Sequence, residues 1–64
     1  MDIFTVNGVE VVDTNTAAAI LGLQPRTLIA ARSEGRPHAK VIRHRGRVWY
    51  DLASVYAAAA ESTQ

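Results

Sequence analysis

The sequence has 64 residues, with seven Lys and Arg, six Asp and Glu, no cysteine and a formal net charge of +1. A chain of this length makes one domain with one modest core, because it buries only about 60% of its unfolded surface. The lack of cysteine excludes disulfides and thiolate metal sites, so the expected extra stabiliser is another macromolecule or a second copy.

A membrane location is not expected. The longest apolar run, Val55 to Ala60, is far shorter than the roughly 20 residues that cross a bilayer, and the first residues do not read as a signal peptide. The sequence therefore predicts a soluble, cytoplasmic protein.

The charges are separated along the chain. All seven Lys and Arg lie between Arg26 and Arg47, where they are accompanied by the single acid Glu34, for a formal charge of +6. The remainder has five acids and no base, for a formal charge of −5. One charged cluster is often only a solvated face, but complete segregation of the bases indicates a surface for a polyanion.

The segment from Ile3 to Val12 is predicted to be a β-hairpin. Its two β-prone runs flank Asn7-Gly8, and both of these residues tolerate positive φ. Such a turn pairs Val6 with Val9 and Phe4 with Val11, so that these four side chains share one face and can cover a small core. The other face carries Thr5 and Glu10, flanked by Ile3 and Val12. We expect this hairpin to be scaffold, with an edge for contacting another subunit as the alternative.

Residues 13–35 are predicted to form a helix-turn-helix unit. Asp13 can cap the first helix, and Gly22 can end it. Pro25 suits the first position of the second helix, which should end at Gly35. The apolar positions of the first helix have helical spacing: Ala17, Ala18, Ile20 and Leu21.

A second hairpin and a last helix follow. Residues 40–50 have β-branched and aromatic side chains around a turn at Arg45-Gly46, which pairs Ile42 with Trp49 and Val41 with Tyr50. The last helix begins at Asp51 or Leu52 and runs to residue 61. The side chains that can pack it onto the core are Leu52, Val55 and Tyr56.

This order of elements resembles the winged helix-turn-helix fold shared by phage excisionases and the DNA-binding domains of MerR-type regulators. The resemblance runs from about Val12 to Ala60 and is carried by VVDTNTAAAILGLQPRTLIAARSEGR followed by VIRHRGRVWYDLASVYA. It implies one α+β domain over residues 1–64, a small winged helix-turn-helix with three short helices and an extra N-terminal β-hairpin. Residues 1–12 are the extra hairpin, 13–35 the helix-turn-helix, 40–50 a basic β-hairpin wing and 51–61 the C-terminal helix.

The second helix is expected to enter the major groove of DNA. Its inner side should carry Gln24, Leu28 and Ala31, and its outer side Arg26, Ile29, Ala30 and Ser33. Arg26 is the candidate for reading a base, since arginine bonds guanine at two acceptors. Thr27 and the amides at the helix start are expected to hold a phosphate, as is Arg32 on the flank.

The chain departs from the family pattern on this helix. The family often places basic or bulky polar residues at the positions of Ile29 and Ala30, and an aromatic at that of Ala31. Specificity would then come from DNA shape, from the second hairpin or from several copies binding together. Packing of Ile29 against another subunit or the hairpin remains an alternative.

The resemblance makes the second hairpin the wing. Arg43, Arg45 and Arg47 surround its tip, Gly46 permits the turn, and arginine is favoured in a narrow minor groove. Arg36 and Lys40 are expected to neutralise phosphates. Trp49 is expected to be a buried anchor, with stacking on a nucleotide as the alternative.

Neither a metal site nor catalysis is expected. His38 and His44 lack cysteine partners, and the serines lack a triad context, so no cofactor and no enzymatic activity are predicted.

The resemblance to excisionases implies cooperative self-association on double-stranded DNA, DNA bending and an action on a phage integrase that favours excision. The absence from this sequence of the long dimerisation helix and effector domain of MerR-type regulators favours the excisionase interpretation. A small phage-type transcriptional regulator is the first alternative, and a protein-interaction module without DNA binding is the second.

Overall fold

The computed structural model describes residues 1–62 as a small α+β fold with three helices and one four-stranded antiparallel sheet. In chain order, the elements are β1 (Phe4–Val6), β2 (Val9–Val12), α1 (Thr14–Leu21), α2 (Pro25–Ser33), β3 (Val41–His44), β4 (Arg47–Asp51) and α3 (Leu52–Ser62). The sheet order is β1-β2-β4-β3, so β2 and β4 join the two hairpins in the middle. None of the helices in this part of the chain has the length and apolar character needed to span a bilayer.

Both predicted hairpins are confirmed in their register. In the first hairpin (β1 and β2), Phe4 is paired with Val11 and Val6 with Val9. In the second hairpin (β3 and β4), the pairs Val41 with Tyr50 and Ile42 with Trp49 are present. The turns have positive φ at both residues, at Asn7-Gly8 and at Arg45-Gly46, as a two-residue hairpin loop of type I′ requires.

The helix boundaries are close to those predicted, although α2 ends at Ser33 and not at Gly35. The Asp13 carboxylate accepts a 2.8 Å hydrogen bond from the Thr16 N–H, and this bond satisfies a donor that the first turn of α1 would otherwise leave free. Gly22 follows α1 in the left-handed conformation with φ 71°. Pro25 opens α2, and Gly35, with φ 77°, lies just beyond its end.

Each face of the sheet carries its own apolar cluster. On one face, Val12 and Tyr50 pack with the helices, and the other buried members of this cluster are Ala17, Ala18, Leu28, Leu52 and Val55. Val11 and Trp49 are the sequence neighbours of Val12 and Tyr50, so they point to the opposite face. There they form a smaller cluster with Val6, against which Ile42 packs.

The predicted burial is wrong at several positions. Of the four side chains assigned to the small core of the first hairpin, only Val6 and Val11 are buried, whereas Phe4 is 44% and Val9 38% exposed. Val12 is fully buried, because pairing of β2 with β4 places it over the helices.

Tyr56, predicted to pack onto the core with Leu52 and Val55, is 49% exposed. The buried stripe of α3 is narrower than predicted, and Tyr56 lies beside it. There it lines an open groove of about 420 Å³ that also involves Val9 and Glu10 of the first hairpin.

Candidate nucleic-acid interface

The outer side of α2 is exposed over its whole length. Five of the predicted contact residues lie there in solvent: Arg26, Thr27, Ile29, Ala30 and Ser33. On the inner side Leu28 is buried and Ala31 half-buried, but Gln24 is exposed. Gln24 was predicted to pack inward, and it is instead the residue that precedes the helix. The helix therefore presents its predicted reading side to solvent.

A shallow depression runs along this outer side. It has a volume of about 580 Å³ and is lined by Arg26, Thr27, Ala30, Ala31 and Glu34. Besides the exposed Ala30 it includes the half-buried Ala31, so it lies between the outer side and the inner side of the helix.

The start of α2 offers fewer free amides than predicted. Pro25 has no N–H, and the N–H groups of Thr27 and Leu28 donate to the Gln24 carbonyl at 3.0 and 3.3 Å. Among the first four residues of α2, Arg26 is therefore the one whose backbone N–H is available to an anion. A phosphate at this point would be held by the Arg26 amide and the Thr27 hydroxyl.

Arg32 has a partner inside the protein. It is half-buried, and its Nη1 donates a 3.2 Å hydrogen bond to the hydroxyl of Tyr50, which is fully buried. This bond connects α2 to β4. The prediction that Arg32 holds a phosphate therefore concerns a side chain that already has a structural contact.

The second hairpin distributes its cations around the tip. Arg45 and Gly46 form the exposed turn. Arg43 is paired with Val48 and His44 with Arg47, so Arg43 and Arg47 project from opposite faces of the sheet. The three arginines therefore project in different directions from the tip of the second hairpin.

Arg47 also contacts an aromatic ring. Its guanidinium lies 4.9 Å from the centroid of the Trp49 ring, within the range of a cation–π interaction. On the same face, the Phe4 ring lies 4.9 Å from that of Trp49 and is tilted by 52°. Trp49 is only 7% exposed, which confirms its prediction as an anchor and leaves little ring surface for a nucleotide.

The segment between α2 and β3 is fixed by its backbone, while its cations stay exposed. The Lys40 N–H donates to the Ser54 hydroxyl at 2.9 Å, and the Lys40 carbonyl accepts from the Asp51 N–H at 3.0 Å. Arg36 donates its N–H to the Ala31 carbonyl at 2.9 Å. Both Lys40 and Arg36 are exposed, as the predicted contact with phosphates would require.

The sequence reasoning missed Asp51 and Ser54 as supports for this segment. The Asp51 carboxylate accepts from the Ala53 N–H at 3.1 Å, and the Ser54 hydroxyl donates to the Asp51 carbonyl at 2.7 Å. An Asp immediately before a predicted helix is a capping signal, and this signal could have identified the role of Asp51.

The two histidines lie in different environments. His38 is exposed and His44 half-buried. Within residues 1–62, no group of three or more His, Cys, Asp or Glu side chains is arranged to hold a metal ion.

Comparison of the chain with protein-family models, with curated proteins and with solved structures gives no match.

Proposed function

We propose that this chain is a double-stranded DNA-binding protein of the winged helix-turn-helix type. In this proposal, α2 enters the major groove and the second hairpin is the wing that contacts the minor groove. The observation that carries it is the placement of all seven Lys and Arg on α2, the segment after it and the second hairpin, with six of the seven exposed. Such a surface favours a polyanion.

The local geometry of the helices supports this assignment. A tight left-handed turn at Gly22 separates α1 from α2, and the second of these helices exposes the side that would face base edges. The four-stranded sheet includes the two strands of the first hairpin, so β1 and β2 are additions to the three helices and the wing.

The conformation of Arg45 is a second support. Its φ is 53°, in the left-handed region that costs an L-residue with a large side chain about 1 kcal/mol. Asparagine tolerates this region better and occupies the matching position of the first hairpin as Asn7, with φ 51°. Folding alone gives no reason for an arginine here, whereas a cation at the tip can reach DNA.

We further propose that the protein is a phage-type excisionase, which bends DNA and directs an integrase towards excision. The support is the resemblance of residues 12–60 to that family. The outer side of α2 has one cation and several apolar groups, so one copy would read few bases. Cooperative binding of several copies would supply the remaining specificity.

The test is a mobility shift on a long duplex drawn from around the gene, at about 50 and 200 mM salt. We expect discrete, stepwise bands that weaken at the higher salt. The variants Arg26→Ala and Arg45→Ala should each lose these bands. Glu10→Gln, an exposed acid of the first hairpin, is the matched control and should retain the bands.

An absence of binding at the lower salt would reject DNA binding and leave a protein-interaction module. If binding is found, an integration and excision assay beside a promoter reporter distinguishes an excisionase from a transcriptional regulator.

A further inference from the structure

The outer side of α2 is chemically mixed in a way that limits what it can recognise. Arg26 stands at its start and Glu34 just after its end, and the surface between them includes Ile29, which is 43% exposed, and the exposed Ala30. These apolar side chains lie in the one region of the chain that is rich in cations. Charge complementarity therefore favours DNA as the ligand of this surface. The apolar side chains must then contact an apolar group on the DNA.

The length of this surface corresponds to a few base pairs. Arg26, Ala30 and Glu34 are four residues apart and so lie on one line along the helix. At 1.5 Å per residue, Arg26 and Glu34 are separated by about 12 Å. Since base pairs rise by about 3.4 Å, the line covers roughly three to four of them.

The major groove presents one kind of apolar group to a helix, which is the C5-methyl group of thymine. Ile29 and Ala30 have no polar side-chain atom, so they cannot satisfy the donors and acceptors of the other base edges. The depression lined by Ala30 and Ala31 has a volume of about 580 Å³ and leaves room for a methyl group to approach Ala30. Ile29 lies outside this lining and would contact a methyl group from the exposed surface beside it. Arg26 at one end fits guanine O6 and N7, and the Glu34 carboxylate at the other can accept from a cytosine amino group.

Building on the proposed function, we propose that Ile29 and Ala30 recognise thymine methyl groups in the major groove. The preferred site would then have one or two thymines between a guanine bonded by Arg26 and a cytosine at the Glu34 end. The exposed apolar side chains of α2 would thus be specificity determinants.

The experiment uses two duplexes of the bound sequence that differ only in deoxyuridine replacing thymidine within the footprint. Uracil keeps the base pairing and the acceptors of thymine and lacks only the methyl group. We expect the wild-type protein to bind the uracil duplex about fourfold more weakly for each methyl group contacted.

Two variants make the test specific to the side chain. Ile29→Ala removes most of the apolar contact that Ile29 makes, so its thymine-to-uracil affinity ratio should fall by about fourfold, to the part that Ala30 supplies. Ser33→Ala, at another exposed position of the outer side, should keep the wild-type ratio. Because each ratio compares two duplexes with the same protein, a partial loss of folding cancels.

The outcomes separate this inference from the proposed function. A wild-type ratio near one, or a ratio that persists in Ile29→Ala, would overturn methyl recognition by Ile29 while DNA binding remains. A variant that loses the stepwise bands but keeps the ratio would assign Ile29 to contact between copies and would also overturn it. If neither duplex binds the wild-type protein, DNA binding itself is rejected, and methyl recognition is rejected with it.

Discussion

The two hairpins of this protein have the same turn conformation but different surfaces. Each closes with a two-residue turn that is left-handed at both positions, and each supplies two strands to the same sheet. The first hairpin has no base and leaves Phe4 and Val9 partly exposed, whereas the second has three arginines around its tip. Since one turn geometry is built with Asn7 and again with Arg45, the fold does not require an arginine at the turn of the second hairpin.

The two hairpins also differ in what holds them. The second sends Tyr50 into the main core and Trp49 into the smaller cluster, so both faces of the sheet anchor it. The first also reaches both faces, through Val12 in the main core and through Val6 and Val11 in the smaller cluster. The difference lies in the outer strands: β3 packs Val41 against one cluster and Ile42 against the other, whereas β1 buries Val6 on one face. The hairpin with the basic tip is thus the one whose outer strand is held on both faces, an arrangement that suits the proposed rigid wing.

The largest expected effect comes from removing the charges that distinguish the second hairpin. The combined change Arg43→Gln, Arg45→Asn and Arg47→Gln should weaken DNA binding on the order of 100-fold and lower the slope of log K against log salt by about 0.9 per lost phosphate contact. Glu10→Gln in the first hairpin should change neither quantity appreciably. An unchanged slope in the triple variant, with circular dichroism showing an intact fold, would mean that the second hairpin does not contact phosphates.

The N-terminal cap of α1 can be removed at Asp13. Asp13→Ala removes the bond from the Thr16 N–H and should lower the free energy of unfolding by about 1 kcal/mol, as loss of a helix cap usually does. A urea titration at neutral pH, read by far-ultraviolet circular dichroism, measures this loss. A loss below about 0.3 kcal/mol would show that water replaces the cap.

The same carboxylate predicts a pH dependence. The hydrogen bond from the Thr16 backbone N–H, aided by the Thr16 side chain and by Arg47, holds the pKa of Asp13 below its usual value. A carboxyl group with a lowered folded-state pKa stabilises the fold above its unfolded-state pKa, near 3.9, and loses this contribution as the pH falls through the folded value. The stability difference between the wild type and Asp13→Ala should therefore be constant from pH 5 to 7 and shrink in acid.

Tyr50→Phe tests how the second hairpin is attached to α2. It removes only the hydroxyl that Arg32 bonds at 3.2 Å, and we expect a loss of about 1 kcal/mol in stability and a several-fold loss in DNA affinity. The salt slope should not change, because no charge is removed. A slope that rises by about one would indicate that the freed Arg32 gains a phosphate contact and that its bond to Tyr50 competes with DNA.

The elements that the sequence predicted correctly are those decided by neighbours along the chain. The Asn7-Gly8 turn, the Asp13 cap and Pro25 at the start of α2 each act within a few residues, and the two-residue turns then determine the hairpin registers. The pairing of β2 with β4 joins residues almost 40 positions apart (Val12 with Tyr50), and no local pattern encodes it. For that reason the burial of Val12 and the exposure of Phe4 were not predicted.

The candidate site shows the same division. Exposure of the outer side of α2 follows from helical periodicity, and it was predicted. The bond from Arg32 to Tyr50 spans 18 residues. No local pattern indicates it, so the sequence predicted Arg32 only as a phosphate contact. The position of Arg47 over Trp49 is local, two residues apart on one strand face, and could have been recognised from the alternation of the strand.

The smallest expected effect comes from exchanging the residues at the two matching turn positions. Arg45→Asn should raise the free energy of unfolding by about 0.5 kcal/mol, because asparagine tolerates the left-handed conformation better than arginine. It should at the same time weaken DNA binding by removing the cation at the tip. Asn7→Arg should lower stability by a similar amount, and thermal unfolding of both variants beside the wild type measures the pair.

The exchange also decides what the arginine at the tip is for. If Asn7→Arg leaves DNA affinity unchanged, position on the second hairpin matters, and the strain at Arg45 is tied to a contact that only this turn can make. If Asn7→Arg strengthens binding as much as Arg45→Asn weakens it, the effect comes from the overall charge. The position of the arginine on the second hairpin is then not important for binding. An Arg45→Asn variant that is more stable and binds as well as the wild type would remove the tip from the interface and leave α2 as the main contact with DNA.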